Sequence, residues 1–218
     1  MSLRNVTIIG AGNVGAALAR NFVGHGLTVQ LATPDLSKTR EVANQLGAGV
    51  RAVELAALGD AAGGAAIDAV FLAVPADAAV AALEAAHRLA ARTIVVDCTN
   101  PLRWDQGPVY TPPAEGSVTA QLARRFPQLR VVKAFNTFGA EFHARPALAA
   151  GPADLYFAGD DADAKQQIAE LASTLGYAPI DVGPLRNAQH LESLAILWIH
   201  LATVGQRGRE VAFKLLPR

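Results

Sequence analysis

Apolar residues in this chain fall into short unbroken runs, and between the runs they recur at helical spacing. Residues 6–9, 27–32, 69–74, 93–96 and 131–135 are the strongest runs, with a weaker one at 50–53. They are apolar on both faces rather than alternating, the mark of parallel strands covered by helices on either side. After the first run Val14, Leu18 and Phe22 stand four residues apart, and residues 37–46, 77–91 and 117–126 also have helical character. Six β-segments separated mostly by helices predict an α/β fold, a doubly wound and mostly parallel sheet with right-handed crossovers. Two stretches interrupt the rhythm. Residues 59–66, glycine and alanine apart from Asp60, read as a loop or frayed helix. Residues 103–116 carry Pro108, Pro112, Pro113 and two glycines and read as a long irregular loop; loops of that length in compact domains are usually functional.

Beyond residue 150 the pattern shortens. Residues 154–158 and 178–182 read as strands around a helix at 163–175, and 210–216 as a final edge strand. In residues 184–204, Leu191, Leu194, Ala195, Trp198, Leu201 and Ala202 lie at helical spacing, while Ile196, Leu197 and Ile199 make the other faces apolar too. Such a helix is expected to be buried nearly all round. The expected division is a main domain over residues 1–150 and a small C-terminal α/β extension over 151–218. The extension packs on the main domain, is not independent, and ends in the buried helix. One sheet face cannot cover a helix apolar on all sides. Residues 187–204 are therefore expected to build a homodimer interface centred on Leu194, Trp198 and Leu201. The competing arrangement buries the helix inside its own subunit under the 103–116 loop.

Composition narrows the class. Lys and Arg total 19 against 19 Asp and Glu, and this balance argues against a nucleic-acid partner. With 51% hydrophobic and 17% charged residues a core forms readily and nothing suggests disorder. The single Cys98 excludes an internal disulfide and a multi-cysteine zinc site, and fits a reducing compartment. It has no cationic neighbour in sequence and reads as a small core residue. The first apolar run is too short for a signal peptide and the apolar helix too short to span a bilayer. A soluble, cytoplasmic protein with a small-molecule substrate and no membrane partner is expected.

The chemistry concentrates where the first run ends. Gly10, Ala11, Gly12, Asn13, Val14 and Gly15 form a GxGxxG turn between a strand and a helix. Gly10 lets the chain reverse, Gly12 lets backbone amides approach a pyrophosphate, and Gly15 lets helix and strand pack closely. The helix N-terminus offers free N–H groups and a positive dipole to the phosphates. Ligands of such sheets sit beyond the C-terminal strand ends, which also collects Thr33, Val74, Pro75, Asn100, Pro101 and residues 134–137, Ala134 and Asn136 among them. The last three groups would face a nicotinamide. At the end of the second strand NAD-binding folds usually carry a carboxylate; here Thr33 stands there, a hydroxyl that can donate to a 2′-phosphate, with Lys38 able to supply positive charge. This favours NADP(H). The alternative leaves Lys38 a solvated helix residue. Asn100, held extended by Pro101, either contacts the nicotinamide or ribose or simply forms a turn. Asn136, just past an apolar strand, needs a partner.

Familiar acid–base and metal signatures are missing from the sequence. None of Tyr110, Tyr156 and Tyr177 has Lys four residues on, there is no HExxH, and His25, His87, His143, His190 and His200 sit in no catalytic setting. No catalytic residue and no metal ligand is assigned. Lys133, inside an apolar strand, is expected to find a carboxylate, with Glu192 on its apolar helix as a candidate; both read as structural. The chemistry then needs little acid–base help from the protein, or the chain is a non-catalytic NADP(H)-binding module.

Four blocks carry a resemblance over nearly the whole chain in order: IIGAGNVGAALA, VDCTNPL, VVKAFNTFGA and DVGPLRNAQHLESLAILWI. Together they resemble the NADP oxidoreductases dependent on the deazaflavin coenzyme. The resemblance implies a Rossmann-type domain whose small C-terminal part closes a pocket, and direct hydride passage between nicotinamide and a deazaflavin or flavin-like ring as second substrate. It implies Gly12, Asn13 and Val14 around the pyrophosphate, Thr33 and Lys38 at the 2′-phosphate, and residues 134–137 at the ring pocket. The chain departs from the family at Pro34-Asp35, where arginine is common, and at Asn136, where His can stand. More loosely, the blocks are similar to the cytoplasmic domains of membrane ferric reductases and to pyrroline-carboxylate reductases.

Overall fold

The structure is a computed structural model that describes residues 3–59 and 66–216, so the expected loop at 59–66 lies almost entirely outside the described residues. In chain order it begins β1 (Asn5–Ile9), α1 (Asn13–Gly24), β2 (Thr28–Thr33), α2 (Leu36–Leu46), β3 (Val50–Glu54), β4 (Ala69–Leu72), α3 (Ala79–Ala85) and β5 (Ile94–Asp97). A hairpin of β6 (Leu102–Trp104) and β7 (Pro108–Tyr110) precedes α4 (Val118–Arg125) and β8 (Arg130–Lys133). Then follow α5 (Ala140–Ala144), the short pair β9 (Ala147–Leu148) and β10 (Gly151–Pro152), β11 (Asp154–Gly159), α6 (Ala162–Thr174), β12 (Ala178–Asp181) and α7 (Ala188–Ala202).

Strands β3, β2, β1, β4, β5 and β8 lie side by side and parallel, the order of a Rossmann sheet. On the β8 side the sheet continues: β11 joins antiparallel, and β12 pairs parallel with β11 to complete eight strands. The extension after residue 150 thus prolongs the sheet of the first part. Alternate strand residues feed two cores. Val6, Ile8, Phe71, Ile94, Val96 and Val132 pack on one face with Leu18 and Phe22 of α1 and Ile168 of α6. Ile9, Val70, Leu72, Val95 and Val131 pack on the other with Leu83 of α3 and Leu122 of α4. Because both faces are covered, neither needs polar alternation.

Four expectations are corrected. The 77–91 helix is a 3-10 turn at Ala76–Ala78 and the short α3, ended at Ala86 by non-helical backbone (ψ 40°). Alanines favour a helix but bury little, and the turn after α3 instead meets Gly59, where a Cβ would lie 2.2 Å from the Arg88 carbonyl oxygen. The 103–116 loop is not wholly irregular, since its first part is the β6–β7 hairpin, closed by Gln106 in a left-handed conformation (φ 56°). Residues 210–216 form no strand; they are tied down by side chains, with Lys214 Nζ and the Leu215 N–H both donating to the Asp154 carboxylate at 2.9 and 2.6 Å. Finally, α7 is buried along one face only, through Ala188, Leu191, Glu192, Ala195, Trp198 and Ala202, while Leu197 is 49% exposed. Trp198 is therefore no interface centre: it is 4% exposed, and its indole N–H donates to the Val211 carbonyl at 2.6 Å. No helix among the described residues is long and apolar enough to cross a membrane.

Candidate functional site

The glycine loop is built as its spacing demands. Gly10 takes φ 116°, a left-handed conformation, and a Cβ on it would lie 2.3 Å from the Ala73 carbonyl oxygen and 3.2 Å from Val74. Its N–H donates to the Ala32 carbonyl at 2.9 Å. The loop is thereby wedged between the ends of β2 and β4, against two of the expected site segments. At Gly12 a Cβ would meet nothing within 4 Å, so the open space of the loop lies over that residue.

Three other helix N-termini are closed by their own side chains, while α3, α5 and α7, like α1, have no side-chain cap. Asp35 caps α2, Ser117 caps α4 and Asp161 caps α6. Gly12, at the N-cap of α1, supplies no side-chain acceptor, and the first turn of α1 carries no acidic residue. The first N–H groups of α1 therefore face the opening over Gly12 without a carboxylate or hydroxyl acceptor from the cap, which suits a pyrophosphate. The residues present fit a dinucleotide.

At the end of β2 the Thr33 hydroxyl is engaged within the chain. It lies 2.6 Å from the Thr39 hydroxyl and 2.9 Å from the Asp35 carbonyl oxygen, and accepts from the Asp35 N–H at 3.2 Å. The Asp35 carboxylate turns back into α2, accepting from the Ser37 hydroxyl at 2.8 Å and from the Ser37 and Lys38 amides at 3.0 and 3.2 Å. The Ser37 hydroxyl and the Lys38 amide hold this exposed carboxyl below the usual carboxylate range. Lys38 is exposed in the first turn of α2. The acidic departure at Asp35 is thus a helix cap, and it takes the amides that an incoming phosphate would otherwise use.

On the other side of the loop, Val74 is half-buried and Pro75 exposed at the end of β4, whereas Pro101 and Ala134 are buried. Asn100 and Asn136, from the ends of β5 and β8, bond to each other twice. Asn100 Nδ2 donates to the Asn136 carbonyl and Asn136 Nδ2 to Asn100 Oδ1, both at 2.9 Å. Asn136 Nδ2 also donates to the Leu191 carbonyl of α7 at 3.0 Å, so the buried NH2 group finds acceptors, while Oδ1 has no partner within the protein. Phe135 makes this possible. Its φ of 60° is rare for a bulky residue; the ring packs edge-on to Phe71 and Tyr177 at 5.6 Å, and the backbone turns Asn136 toward Asn100.

Beneath the Asn pair lies a group of buried charges. Lys133 Nζ donates to Asp97 Oδ2 at 3.0 Å, to Glu192 Oε1 at 3.1 Å and to the Thr99 carbonyl at 2.5 Å, and neither the lysine nor either carboxylate side chain reaches solvent. The expected Lys133–Glu192 pair is present. Asp97 and Thr119 were not anticipated: Asp97 Oδ1 accepts from the Thr99 N–H at 2.9 Å and Oδ2 from the Thr119 hydroxyl at 2.7 Å. The signal that singled out Lys133, a charge at the end of an apolar run, applies equally to Asp97. Glu192 also receives the Val118 N–H at 2.9 Å and lies 2.9 Å from the Tyr110 hydroxyl. Burial, with Asp97 adding to it, pushes the Glu192 carboxyl above the usual range against the pull of Lys133. Burial likewise raises the Cys98 thiol, an inert core residue. His143 is sealed among Phe135, Phe138 and Tyr177, its Nδ1 3.1 Å from the Tyr177 hydroxyl, and burial lowers it to about 4.

Comparison with known proteins agrees with this geometry. Residues 5–101 match the family described as NADP oxidoreductase, coenzyme F420-dependent. The metalloreductase STEAP3 of Rattus norvegicus is 30% identical over 195 residues, covering 88% of this chain, but this chain spans only 36% of that protein's length. A crystal structure from Arthrobacter sp. FB24, provisionally called an F420-dependent NADP-reductase, superposes with TM-score 0.86 at 28% identity, covering 99% of this chain and 100% of the other. A hypothetical protein of Sinorhizobium meliloti superposes with TM-score 0.69 at 33% identity, over 84% and 86% of the two chains.

Proposed function

Because the chain belongs, through residues 5–101, to the coenzyme F420-dependent NADP oxidoreductase family, we propose that it passes hydride directly between NADP(H) and a deazaflavin or flavin-like ring. That it is an NAD(P)-dependent oxidoreductase follows from the family and its reductase relatives. NADPH, when bound, supplies the hydride. The chain's own part is to bind and orient: Gly10, Ala11, Gly12, Asn13, Val14 and Gly15 hold the pyrophosphate, Thr33 and Lys38 the ribose phosphate. Val74, Pro75, Asn100, Pro101, Ala134 and Asn136 then surround the nicotinamide.

One observation carries the reading. The charged groups gathered at the strand ends, Asp97, Lys133 and Glu192, are sealed beneath the Asn100–Asn136 bridge and bonded to one another. They are placed to support the floor of the site rather than to exchange protons with a substrate. Hydride passage between two stacked rings needs little else, since its rate depends on holding the reacting carbons about 3–3.5 Å apart. A second reading, delivery of electrons toward a metal ion, has its support in the metalloreductase relative.

Steady-state oxidation of NADPH with the deazaflavin coenzyme, FMN, FAD, a ferric chelate and a cyclic imine acid tests both. Turnover with a ring acceptor is expected. Good imine reduction without ring turnover would move the protein to another reductase class, and tight NADPH binding without any turnover would make it a sensor module.

A further inference from the structure

We propose that Lys133 and Glu192 are positioning residues of the nicotinamide site, clamping the Thr99–Asn100 turn from beneath and thereby setting the Asn100–Asn136 bridge. The inference rests on the cofactor reading above and assigns work to two residues that touch no ligand.

The contacts close into a circuit. Lys133 Nζ has three protons and three acceptors: Asp97 Oδ2, Glu192 Oε1 and the Thr99 carbonyl. Asp97 in turn receives the Thr99 N–H. The residue before Asn100 is thus held at both ends of its backbone by the lysine and its carboxylate. Asn100 then bonds twice to Asn136, Asn136 donates to the Leu191 carbonyl, and the next residue of α7 is Glu192, which returns to Lys133. Strands β5 and β8 and helix α7 are joined in one ring of bonds immediately under the expected ring pocket. A loosened Lys133 would release the Thr99 carbonyl, and with it the orientation of the Asn100 amide.

Proton counting points to the form in which Glu192 acts. The Tyr110 hydroxyl lies within bonding distance of two oxygens, the Gly116 carbonyl at 3.0 Å and Glu192 Oε2 at 2.9 Å, yet it has one proton. If Glu192 Oε2 carries a proton and donates it to Tyr110, the tyrosine donates to Gly116 and every group is satisfied. Glu192 Oε1 remains an acceptor for Lys133 and the Val118 N–H. The sealed set then holds one cation and one anion, Lys133 and Asp97, and no uncompensated charge. The charged or titratable groups facing Glu192 are Lys133 from β8, Asp97 from β5 and Tyr110 from β7, while α4 offers only an amide. Glu192 therefore works as a hydrogen-bonding acid, and glutamine, with a donor and an acceptor in the same places, should replace it.

The test uses the full chain with NADPH. Calorimetry gives the dissociation constant, the emission of bound NADPH reports the setting of the nicotinamide, and single-turnover oxidation by FMN gives the hydride step. Lys133→Met and Glu192→Leu should leave the dissociation constant within about threefold, change the emission, and slow the hydride step on the order of ten- to a hundredfold. Glu192→Gln should keep emission and rate near wild type where Glu192 is protonated, and should abolish the loss of rate that wild type shows as Glu192 ionises with rising pH. Glu192→Gln keeps the shape and neutrality of the site, so it decides the matter even where Lys133→Met does not fold. A folded Lys133→Met with wild-type emission would overturn the proposal. So would a Glu192→Gln variant as impaired as Glu192→Leu, or one with the wild-type pH profile. A wild-type chain that binds no NADPH would instead remove the cofactor reading, and this inference with it.

Discussion

Gly15 of α1 stands so close to the end of β1 that a Cβ on it would lie 1.9 Å from the carbonyl oxygen of Gly10. The neighbouring Gly12 has open space where a Cβ would stand and an ordinary φ of −76°. The two glycines therefore have different reasons to be glycine. Gly15→Ala is expected to destabilise the fold by about 1–3 kcal/mol, as overpacking against backbone does. Gly12→Ala should leave the melting temperature nearly unchanged and weaken NADPH binding, by crowding the phosphates, at least tenfold. Melting curves and calorimetry on both variants separate the two; a Gly12→Ala variant with intact NADPH affinity would remove the pyrophosphate from this loop.

Cofactor preference should be set by the competition between Asp35 and the 2′-phosphate for the start of α2. With Asp35 already bonded to the Ser37 and Lys38 amides, NADPH is expected to bind more tightly than NADH by a modest margin. A charge-assisted contact from Lys38 contributes on the order of 1.5–3 kcal/mol. Lys38→Ala should lower the NADPH/NADH affinity ratio, and Asp35→Ser, which keeps a cap and removes the charge, should raise it. An unchanged ratio in Lys38→Ala would return that lysine to the surface.

Two buried groups should tilt the pH dependence of stability in opposite directions. His143 is depressed from 6.5 to about 4 by burial, so its contribution is complete above 6.5 and is lost as pH falls through about 4. The displacement corresponds to roughly 3 kcal/mol. Glu192 is raised by burial, so its contribution is complete below the ordinary carboxylate range and is lost as pH rises through the raised value. Denaturation midpoints across pH should show a flattened acid limb in His143→Phe and, in Glu192→Gln, a flattened limb in the direction of rising pH. Parallel curves for variant and wild type would contradict the assignment of either limb.

The uncovered face of α7 is where we expect a second copy of the chain. Leu194, Leu197 and Leu201 share it at helical spacing; Leu197 is 49% exposed, and Val204 beyond the helix 42%. Leu197→Glu should convert a dimer to a monomer in light scattering at low micromolar concentration without loss of fold. A wild-type monomer under those conditions would dispose of the interface.

The sequence showed the parts of this fold that depend on neighbours in the chain. The Gly10–Gly15 turn and the apolar runs at 6–9, 27–32, 69–74, 93–96 and 131–135 are local, and the turn and strands are found there. Lys133 was legible for another reason: an ammonium in an apolar run must find an anion, and Glu192 is alone on its helix. What stayed hidden depends on distant partners. The β6–β7 hairpin lies in a proline-rich stretch and turns through Gln106 rather than a glycine. Trp198 looks like an interface residue until the tail at Val211 comes back over it. Asp97 reads as the turn that ends a strand, and only the pairing of β5 with β8 puts it opposite Lys133.

The antiparallel junction of β8 with β11 has a consequence for the order in which the molecule can be made. Until Ala158 and Gly159 pair with Lys133 and Val132, β8 is an outer strand with its amides and carbonyls unpaired on one side. Glu192, the last acceptor of the Lys133 ammonium, follows that lysine by 59 residues. While the chain is still emerging from the ribosome, its first 150 residues therefore present an open sheet edge and a lysine short of one hydrogen-bond acceptor at the same place. Both are closed only by segments beyond residue 150. A chain stopped at residue 150 is expected to aggregate through that edge rather than to persist as a small soluble domain.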